Sequence, residues 1–268
     1  MDYRKLFGVR PGRKLHLADF DTAPHPGVKD KPRSQALLDA NIARLDDLQY
    51  RLYAEGKRSL LAVFQAMDAG GKDGVIRKVM SGVNPQGCHV TSFKAPSTEE
   101  LAHDFLWRIH RRLPARGQIG IFNRSHYEDV LIVRVHNLVP KAVWSKRYQQ
   151  INGFEKMLAG SGTTTVKFFL HISKTEQLER FRKRLAEPEK HWKFEPQDLK
   201  EREHWDDYMS AYQDAICRCC GPHAPWYVIP ADHKWFRDLA VSEILVRTLD
   251  EMNPKFPKPT YKPGQIML

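Results

Sequence analysis

The sequence has few cysteines and no long apolar run. Its 268 residues include four cysteines, Cys88, Cys217, Cys219 and Cys220, three of them within four positions. That clustering suits neither a disulfide framework nor a zinc site of paired C-x-x-C knuckles, so we expect reduced thiols and a cytoplasmic location. No hydrophobic stretch approaches the ~20 residues that span a membrane, and the N-terminus lacks the apolar core of a signal peptide. These absences argue against a membrane protein, a secreted protein and a disulfide scaffold.

Acidic residues are fewer than basic ones. Lysine and arginine number 43 against 32 aspartates and glutamates, which gives a formal net charge of +11. An excess of this size favours anionic partners, because it raises their local concentration and their association rate. Nucleic acid, anionic lipid and phosphorylated substrates all meet that condition, and solubility alone is a further explanation. Charge by itself leaves these alternatives open.

Short apolar runs alternate with helical patterns along most of the chain. The runs are typical of buried parallel strands, which we predict at 59–65, 89–93, 118–123, 164–172 and 227–230. Apolar residues with helical spacing predict helices at about 34–55, 75–80, 98–113, 141–158, 174–186, 204–219 and 235–252. This alternation predicts an α/β fold, with a parallel sheet of about five strands covered by helices on both faces.

No internal repeat and no break in composition divides the chain, so we predict one domain over residues 1–268. Residues 1–33 are rich in Pro, Gly, Asp and Lys without periodicity, which predicts an arm lying over the surface. Residues 187–203 are charged and contain two prolines, and we interpret them as an excursion between helices. Residues 253–268 contain four prolines and predict an irregular strap.

The first predicted strand opens onto a glycine-rich loop, AMDAGGKDG, that precedes a helix. Glycines let backbone N–H groups converge on an anion, the helix N-terminus adds partial positive charge, and Lys72 supplies a full charge. The loop departs from G-x-x-x-x-G-K-[ST], because Ala66 replaces the first glycine and Asp73 stands where Ser or Thr would contact magnesium. Asp68 and Asp73 would repel phosphate unless they bind a cation, so they suggest Mg²⁺. We interpret the segment as a phosphate loop; a structural turn with a solvated lysine is the alternative.

The third predicted strand ends in polar residues, NRSHYED. Ligands of open parallel sheets bind beyond the carboxyl ends of the strands, so we expect Arg124 near Lys72. Glu128 or Asp129 is then a candidate to complete a metal site, and a solvated loop with an Arg124–Glu128 salt bridge is the alternative. His126 has no evident partners, which makes it a weak candidate for a general base.

The excursion at 187–203 places basic residues beside two aromatic ones, Trp192 and Phe194. This composition predicts a lid that closes over phosphate and excludes water. Two alternatives remain, a solvated helical face and an RNA-binding patch in which the aromatic side chains stack on bases.

Three separated motifs, in this order, resemble those of the family-2 polyphosphate kinases. They are QAMDAGGKDG at 65–74, FNRSHYEDV at 122–130, and KHWKF with DLKER at 190–194 and 198–202. The resemblance covers most of the chain, from about the first long helix to Pro254. It implies a P-loop kinase fold with a helical lid, and reversible, Mg²⁺-dependent phosphoryl transfer between inorganic polyphosphate and a nucleotide, with Mn²⁺ as a possible substitute. The short chain is similar to members that phosphorylate ADP, and often AMP.

The resemblance also implies roles for individual residues. It assigns catalysis to Asp68, Lys72, Arg124 and Asp129. It implies a polyphosphate site made of Gly71, Lys72, Asp73, Gly74, Arg124, Lys193 and Arg202. We expect Asp68, with Glu128 or Asp129, to hold the metal, whereas the motifs do not assign the nucleotide site.

The expected partners are inorganic polyphosphate and purine nucleotides. We expect a homo-oligomer that binds neither nucleic acid nor a membrane. An ATP-dependent nucleotide kinase of the same fold is the nearest alternative, and a basic RNA-binding protein is the alternative from another class.

Overall fold

A five-stranded parallel sheet, in the order β2-β3-β1-β4-β5, forms the centre of the protein in a computed structural model that describes residues 1–261. The strands are β1 (Ser59–Gln65), β2 (Cys88–Ser92), β3 (Ile119–Asn123), β4 (Thr163–His171) and β5 (Trp226–Pro230). Every residue of β1 is buried, as expected for the central strand of a parallel sheet. The predicted α/β architecture is confirmed, and each predicted strand lies within one or two residues of its observed position.

Eleven α-helices flank this sheet within residues 1–261. They are α1 (Tyr3–Phe7), α2 (Lys31–Glu55), α3 (Lys72–Val79), α4 (Thr98–Leu101), α5 (Trp107–His110), α6 (Ile132–Val135), α7 (Lys141–Gly160), α8 (Lys174–Ala186), α9 (Gln197–Glu203), α10 (Trp205–Arg218) and α11 (Lys234–Met252). Short 3₁₀ turns lie at Leu17–Asp19, Pro85–Gly87, His126–Val130 and Pro188–Lys193. No helix in the described part of the chain is both long and apolar enough to cross a membrane.

The capping residues explain where the long helices begin and end. Helix α2 starts three residues earlier than predicted, because the side chain of Asp30 accepts a hydrogen bond from the N–H of Arg33 and proline is tolerated in the first turn. It ends at Gly56, which adopts the left-handed conformation with φ 63°. Helix α8 starts after Ser173, whose side chain accepts from the N–H of Glu176, as predicted.

The single helix predicted over 98–113 is wrong. The capping box of Ser97 and Glu100 is present, but α4 ends at Leu101 and α5 begins only at Trp107. Between them the side chain of Asp104 accepts a hydrogen bond from the N–H of Leu106, a local bond that competes with helix. Leu101 is 70% exposed, so the apolar spacing did not mark one buried face.

The N-terminal arm is more deeply packed than predicted. Tyr3 and Phe7 of α1 are buried against Phe236 of α11, with ring centroids 5.4 and 6.0 Å apart. Further side chains of the arm join the same core, namely Leu15, Leu17 and Val28. The sequence pattern did not predict this packing, because the apolar residues of the arm follow neither the helix period nor the strand period.

The C-terminal segment after α11 has neither helix nor strand over 253–261, as predicted for a strap. Phe256 contacts α2, where its ring lies 5.7 Å from that of Tyr50 and beneath the guanidinium of Arg51. The rest of the predicted strap, 262–268, lies outside the described residues.

Candidate active site

The carboxyl ends of β1 and β3 lie side by side, and each leads into a polar loop. Phe64 of β1 pairs with Asn123 of β3, and the N–H of Arg124 donates to the carbonyl of Phe64 at 3.0 Å. The loop after β1 runs into α3, and the one after β3 runs into the 3₁₀ turn His126–Val130. Parallel strands present their ligand sites at this edge, so the two loops form the candidate active site.

The backbone of the glycine loop leaves the N-terminus of α3 open. Ala69 and Gly71 adopt left-handed conformations, with φ of 59° and 99°, and no side chain of the described residues caps the helix. The φ of Gly71 favours glycine, and a Cβ atom there would also lie 2.0 Å from Nη1 of Arg237, which would have to move. Uncapped N–H groups at a helix N-terminus attract anions, which suits a phosphate loop.

Lys72 is the first residue of α3 and folds back over its own loop. Its Nζ donates to the carbonyl oxygens of Ala66 at 2.8 Å and Met67 at 3.4 Å. The pKa of Lys72 is lowered to about 8, first by burial and then by the charge of Arg124, against the opposing effect of nearby carboxylates. Among the described residues the ammonium group therefore donates hydrogen bonds to backbone carbonyls only, and no carboxylate lies within ion-pair distance of it.

Arg124 forms an ion pair across the two loops. Its Nη2 lies 2.8 Å from Oδ1 of Asp68, and both side chains remain partly exposed. The alternative of a salt bridge to Glu128 is not what the structure shows, although the charges of Glu128 and Asp68 raise the pKa of Arg124 against the effect of its burial. Arg124 has a φ of 62°, a strained conformation for a non-glycine residue that is frequent at functional sites.

Asp68 and Glu128 are the two carboxylates whose charges raise the pKa of Lys72 most, against the larger effect of burial. Burial raises the pKa of Glu128, the charge of Asp68 raises it further, and Arg124 and Lys72 act in the opposite direction. Gln65 contacts Glu128, and its buried Oε1 has no hydrogen-bond partner in the described residues. A hard cation would relieve the repulsion between the carboxylates.

Metal-ligand side chains are sparse here. Within 1–261, no group of three His, Cys, Asp or Glu residues forms a ready-made metal site. Mg²⁺ commonly binds through one or two carboxylates together with water and substrate phosphates, so the donors present fit Mg²⁺. They do not form a complete protein cage.

Asp129 lies apart from this pair. Its Oδ1 accepts from Nη1 of Arg147 at 2.9 Å, and the same Nη1 contacts the Asp129 carbonyl at 3.0 Å. Burial raises the pKa of Asp129 to about 6, while the charges of Arg147 and Arg108 oppose the rise. The structure thus brings Asp68 and Glu128 together and places Asp129 against two arginines that no sequence motif marked.

Asp73 and Gly74 lie in the first turn of α3. The carboxylate of Asp73 accepts from Nδ2 of Asn123 at 2.5 Å, which ties the start of the helix to the end of β3. A Cβ atom on Gly74 would lie 3.4 Å from Nη2 of Arg237. Asp73 therefore helps to fix the two loops relative to each other.

The lid segment 187–203 is largely helical and is connected to the phosphate loop through Gln177 of α8; within it, burial and then the charge of Asp68 raise the pKa of Asp198. Nη1 of Arg202 donates to Oε1 of Gln177 at 2.9 Å, and Nε2 of Gln177 donates to the carbonyl of Asp68 at 2.9 Å. Lys193 instead extends over the ring of Trp192, which is 76% exposed. Of the two predicted lid residues, Arg202 is connected to the phosphate loop and Lys193 projects from the surface.

His126 belongs to a buried network beneath the site. Its Nε2 lies 3.3 Å from Oε1 of Glu155, which also accepts from the hydroxyl of Tyr127 at 2.8 Å. Lys167 donates to the other oxygen of Glu155 at 2.6 Å, and burial lowers the pKa of His126. These contacts support the interpretation of His126 as a hydrogen-bonding core residue.

Sequence reasoning missed several polar residues that shape the site. Gln65 stands inside an apolar strand, and Gln177, Arg147 and Arg237 come from helices distant in the chain. Gln65 opens the motif at 65–74 but had no role assigned to it, and no local motif surrounds the other three. Only the folded arrangement shows that they contact the two loops.

Comparisons with known proteins agree over nearly the whole chain. The family model for Polyphosphate kinase 2 (PPK2) matches residues 28–257. The AMP/ADP-polyphosphate phosphotransferase of Meiothermus ruber is 51% identical over 270 residues, covering 98% of this chain and 99% of that protein. The ADP-polyphosphate phosphotransferase of Rhodopseudomonas palustris is 49% identical, covering 96% and 93%. The crystal structure of polyphosphate kinase 2 from Arthrobacter aurescens TC1 has a TM-score of 0.95 at 43% identity, covering 98% of this chain and 94% of that chain.

Proposed function

The chain belongs to the polyphosphate kinase 2 family, and on this premise we propose that it transfers phosphoryl groups between inorganic polyphosphate and nucleoside mono- or diphosphates. The observation that carries the proposal is the open N-terminus of α3, with Lys72, facing the Arg124–Asp68 pair at one edge of the sheet. ADP is the expected acceptor and AMP a second one, because both appear in the names of close relatives. The reaction exchanges one phosphoanhydride for another, so it is reversible.

The residues present suit a mechanism based on positioning and charge. The N–H groups at the start of α3 and the ammonium of Lys72 bind the phosphate that is transferred, and Arg124 neutralises charge that develops on it. A nucleotide phosphate oxygen is already ionised near neutral pH, so the acceptor needs no strong general base. The burial of His126 away from the loop agrees with this requirement.

We propose Mg²⁺ as the cofactor, with Mn²⁺ as a substitute. Asp68 and Glu128 would hold the ion, which would neutralise charge on the phosphate oxygens when bound. Asp129 has a different task in this proposal, because its carboxylate is bonded to Arg147. It keeps that arginine in place beside the turn that carries Glu128.

The lid closes over the transferred group. Arg202 already contacts the phosphate loop through Gln177, so a movement of α9 is transmitted to the backbone of Asp68. Lys193 is exposed and adds positive charge to the surface over which a phosphate chain passes. Closure limits the access of water to the transferred phosphoryl group.

We further propose a cytoplasmic homo-oligomer that binds neither nucleic acid nor a membrane. The four cysteines are free thiols, which supports a reducing compartment. Apolar side chains remain exposed on α6–α7 and nearby, including Leu138, Val143 and Met157, and a second copy would cover such residues. Sedimentation analysis of the purified protein measures the oligomeric state.

Product analysis tests the proposed function. The purified protein is incubated with Mg²⁺, with long-chain polyphosphate or ATP as the sole donor, and with AMP, ADP or GDP in turn, and the nucleotides are separated by anion exchange. We expect ATP from ADP and ADP from AMP, with no transfer by a folded Lys72→Ala variant. Transfer to AMP from ATP but not from polyphosphate would identify a nucleotide kinase instead. Salt-dependent RNA binding without any transfer would support the nucleic-acid alternative.

A further inference from the structure

Gln65 is a fully buried glutamine at the end of a strand that is apolar from Leu60 to Phe64. Its backbone pairs with Phe169 of β4, so its place in the sheet is fixed. Its Nε2 donates to Oγ of Ser125 at 3.1 Å, whereas Oε1 has no hydrogen-bond partner among residues 1–261. A buried acceptor without a partner lowers stability, which offsets what the bond to Ser125 contributes. Stability alone therefore does not explain the amide.

Ser125 begins the turn that carries Glu128. It is fully buried and immediately precedes the 3₁₀ turn His126–Val130, where its Oγ also accepts from the N–H of Tyr127 at 3.2 Å. A hydroxyl that caps an N–H at the start of a turn sets the position of the residues that follow. The bond from Gln65 connects this hydroxyl to the central strand of the sheet.

The rest of the turn is held from beneath. Nε2 of His126 lies 3.3 Å from Oε1 of Glu155, and the hydroxyl of Tyr127 donates to the same oxygen at 2.8 Å. These bonds place both side chains in the core. Glu128 follows them directly, and its carboxylate contacts the amide of Gln65. Gln65 thus contacts the residue that begins the turn and, again, the carboxylate that the turn carries.

Gln65 also adjoins the other half of the site. The carbonyl of the next residue, Ala66, accepts from Nζ of Lys72 at 2.8 Å, and Asp68 lies two residues further along the same loop. Gln65 is therefore joined to the glycine loop through its backbone and to the turn through its side chain. A shift of one loop against the other would change the distance between Asp68 and Glu128, the two proposed metal ligands.

A second buried glutamine shows that burial of an amide is not the distinguishing feature. Gln49 of α2 is also fully buried, and neither its Nε2 nor its Oε1 has a partner among the described residues. It lies against Gly87, immediately before β2, and so at the edge of the sheet opposite the candidate active site. Gln65 differs in its bond to Ser125 and in its place between the two loops.

We propose that Gln65 is a positioning residue whose side-chain amide fixes Glu128 relative to the glycine loop, by holding Ser125 and the turn that follows it. The inference rests on the proposed function, in which Asp68 and Glu128 hold the metal ion. Gln65 takes no part in the chemistry and acts only through Glu128. Its loss therefore lowers activity only while Glu128 is present.

The test is a double-mutant cycle of Gln65→Met with Glu128→Gln. Met has a similar length and fills the same space without an amide. We expect Gln65→Met to lower kcat for ATP formation from polyphosphate and ADP about 10- to 100-fold, as the loss of a group that orients a metal ligand does. In the Glu128→Gln background the same substitution should change kcat less than about threefold, because the residue through which Gln65 acts is already lost. Gln49→Met is the matched control and should leave kcat near normal.

Metal binding gives a second measurement that does not depend on turnover. The EPR signal of free Mn²⁺ is followed as protein is added without nucleotide or polyphosphate. We expect Gln65→Met to weaken Mn²⁺ binding, and to have no further effect on it in the Glu128→Gln background. Thermal unfolding shows whether each variant is folded, and we expect the Tm of Gln65→Met to stay within about 3 °C of that of the unaltered protein.

Several results would overturn the inference. Normal kcat or unaltered Mn²⁺ binding in Gln65→Met would do so, as would equal losses with and without Glu128, or the same loss in Gln49→Met. If Gln65→Met does not fold, Gln65→Asn replaces it in the cycle, because it keeps the amide but is too short to reach Ser125. If the unaltered protein makes no ATP from polyphosphate, the proposed function fails; if it does and the two losses are additive, only the role of Gln65 fails.

Discussion

Two buried lysines in this protein are held in opposite ways. Lys167 of β4 is fully buried and donates three hydrogen bonds, to the hydroxyl of Tyr127 at 2.7 Å, to Oε2 of Glu155 at 2.6 Å and to the carbonyl of Cys219 at 2.6 Å. Lys72 of the phosphate loop contacts only two carbonyl oxygens of its own loop. The first ammonium group has a carboxylate within hydrogen-bond distance, and the second has none among residues 1–261, although three carboxylates lie near enough to act on its pKa.

The contrast shows that burial of a charge does not by itself mark a functional residue. A buried cation with a carboxylate and well-formed hydrogen bonds stabilises a particular arrangement, here the turn that leads to Glu128. A buried cation with an incomplete set of partners is ready for an anion that comes from outside.

The largest effect is expected at Lys72. We expect Lys72→Ala to lower kcat/KM for polyphosphate-driven ATP synthesis about 10³-fold, because a charge that stabilises the transferred phosphoryl group is lost. Its thermal unfolding should change little, since Lys72 has no carboxylate partner to leave behind. Coupled assay of ATP formation and calorimetry measure both properties. Activity close to that of the unaltered protein would remove Lys72 from the account.

The complementary effect is expected at Lys167. We expect Lys167→Met to lower the free energy of unfolding by about 3 kcal/mol, because Glu155 is left charged and buried without its partner. The double variant Lys167→Met/Glu155→Gln should recover part of this loss. Urea unfolding at neutral pH measures the three variants. A single variant as stable as the unaltered protein would contradict a structural role for Lys167.

The carboxylates near the site can be compared in the same way, since Asp68 is a proposed metal ligand and Asp129 is bonded to an arginine. We expect Asp68→Asn to raise the Mg²⁺ concentration for half-maximal activity about 10- to 100-fold, because one proposed ligand is lost. Asp129→Asn is the matched control, since Asp129 is bonded to Arg147, and its Mg²⁺ titration should stay near normal. A magnesium titration that shifts in Asp129→Asn and not in Asp68→Asn would reverse the assignment.

A smaller effect is expected from pH. The pKa of Lys72 is lowered to about 8, so the free enzyme loses this positive charge as the pH rises through that value. We therefore expect kcat/KM for polyphosphate to fall above about pH 8, approaching tenfold per pH unit, and Lys72→Arg should move the fall to higher pH. Arg124, Asp68, Glu128 and Asp73 are the charged groups that act on Lys72. A flat profile between pH 7 and 9.5 would contradict a role for its charge.

Features that are local in sequence could be predicted well. The strand β1, the glycine loop and α3 follow one another in the chain. The apolar run, the glycines and the lysine therefore stand together in one short stretch of sequence, which is why the loop could be predicted. The cap at Ser173 and the stop at Gly56 were equally local. The helix over 98–113 failed because Asp104 bonds to its own backbone, and no periodicity reveals that competition.

The remainder of the site depends on contacts between distant segments. Asp129 follows Glu128 in the chain, yet its carboxylate is bonded to Arg147 of α7. Arg237 lies over 160 residues from Gly71 and meets it only because α11 packs against α3. Neither contact could be predicted from the identity of these residues or from their positions in the sequence. The partners of each charge therefore had to come from the structure.

The most direct test of the central claim is the pKa of Lys72 itself, followed by NMR of protein with isotope-labelled lysine, with and without polyphosphate. The account predicts that Lys72 titrates near pH 8 in the free protein and at clearly higher pH when polyphosphate is bound, because a neighbouring polyanion favours the charged ammonium. Lys72→Ala identifies the signal. A titration of Lys72 that is the same with and without polyphosphate would contradict the claim that its missing partner is a phosphate.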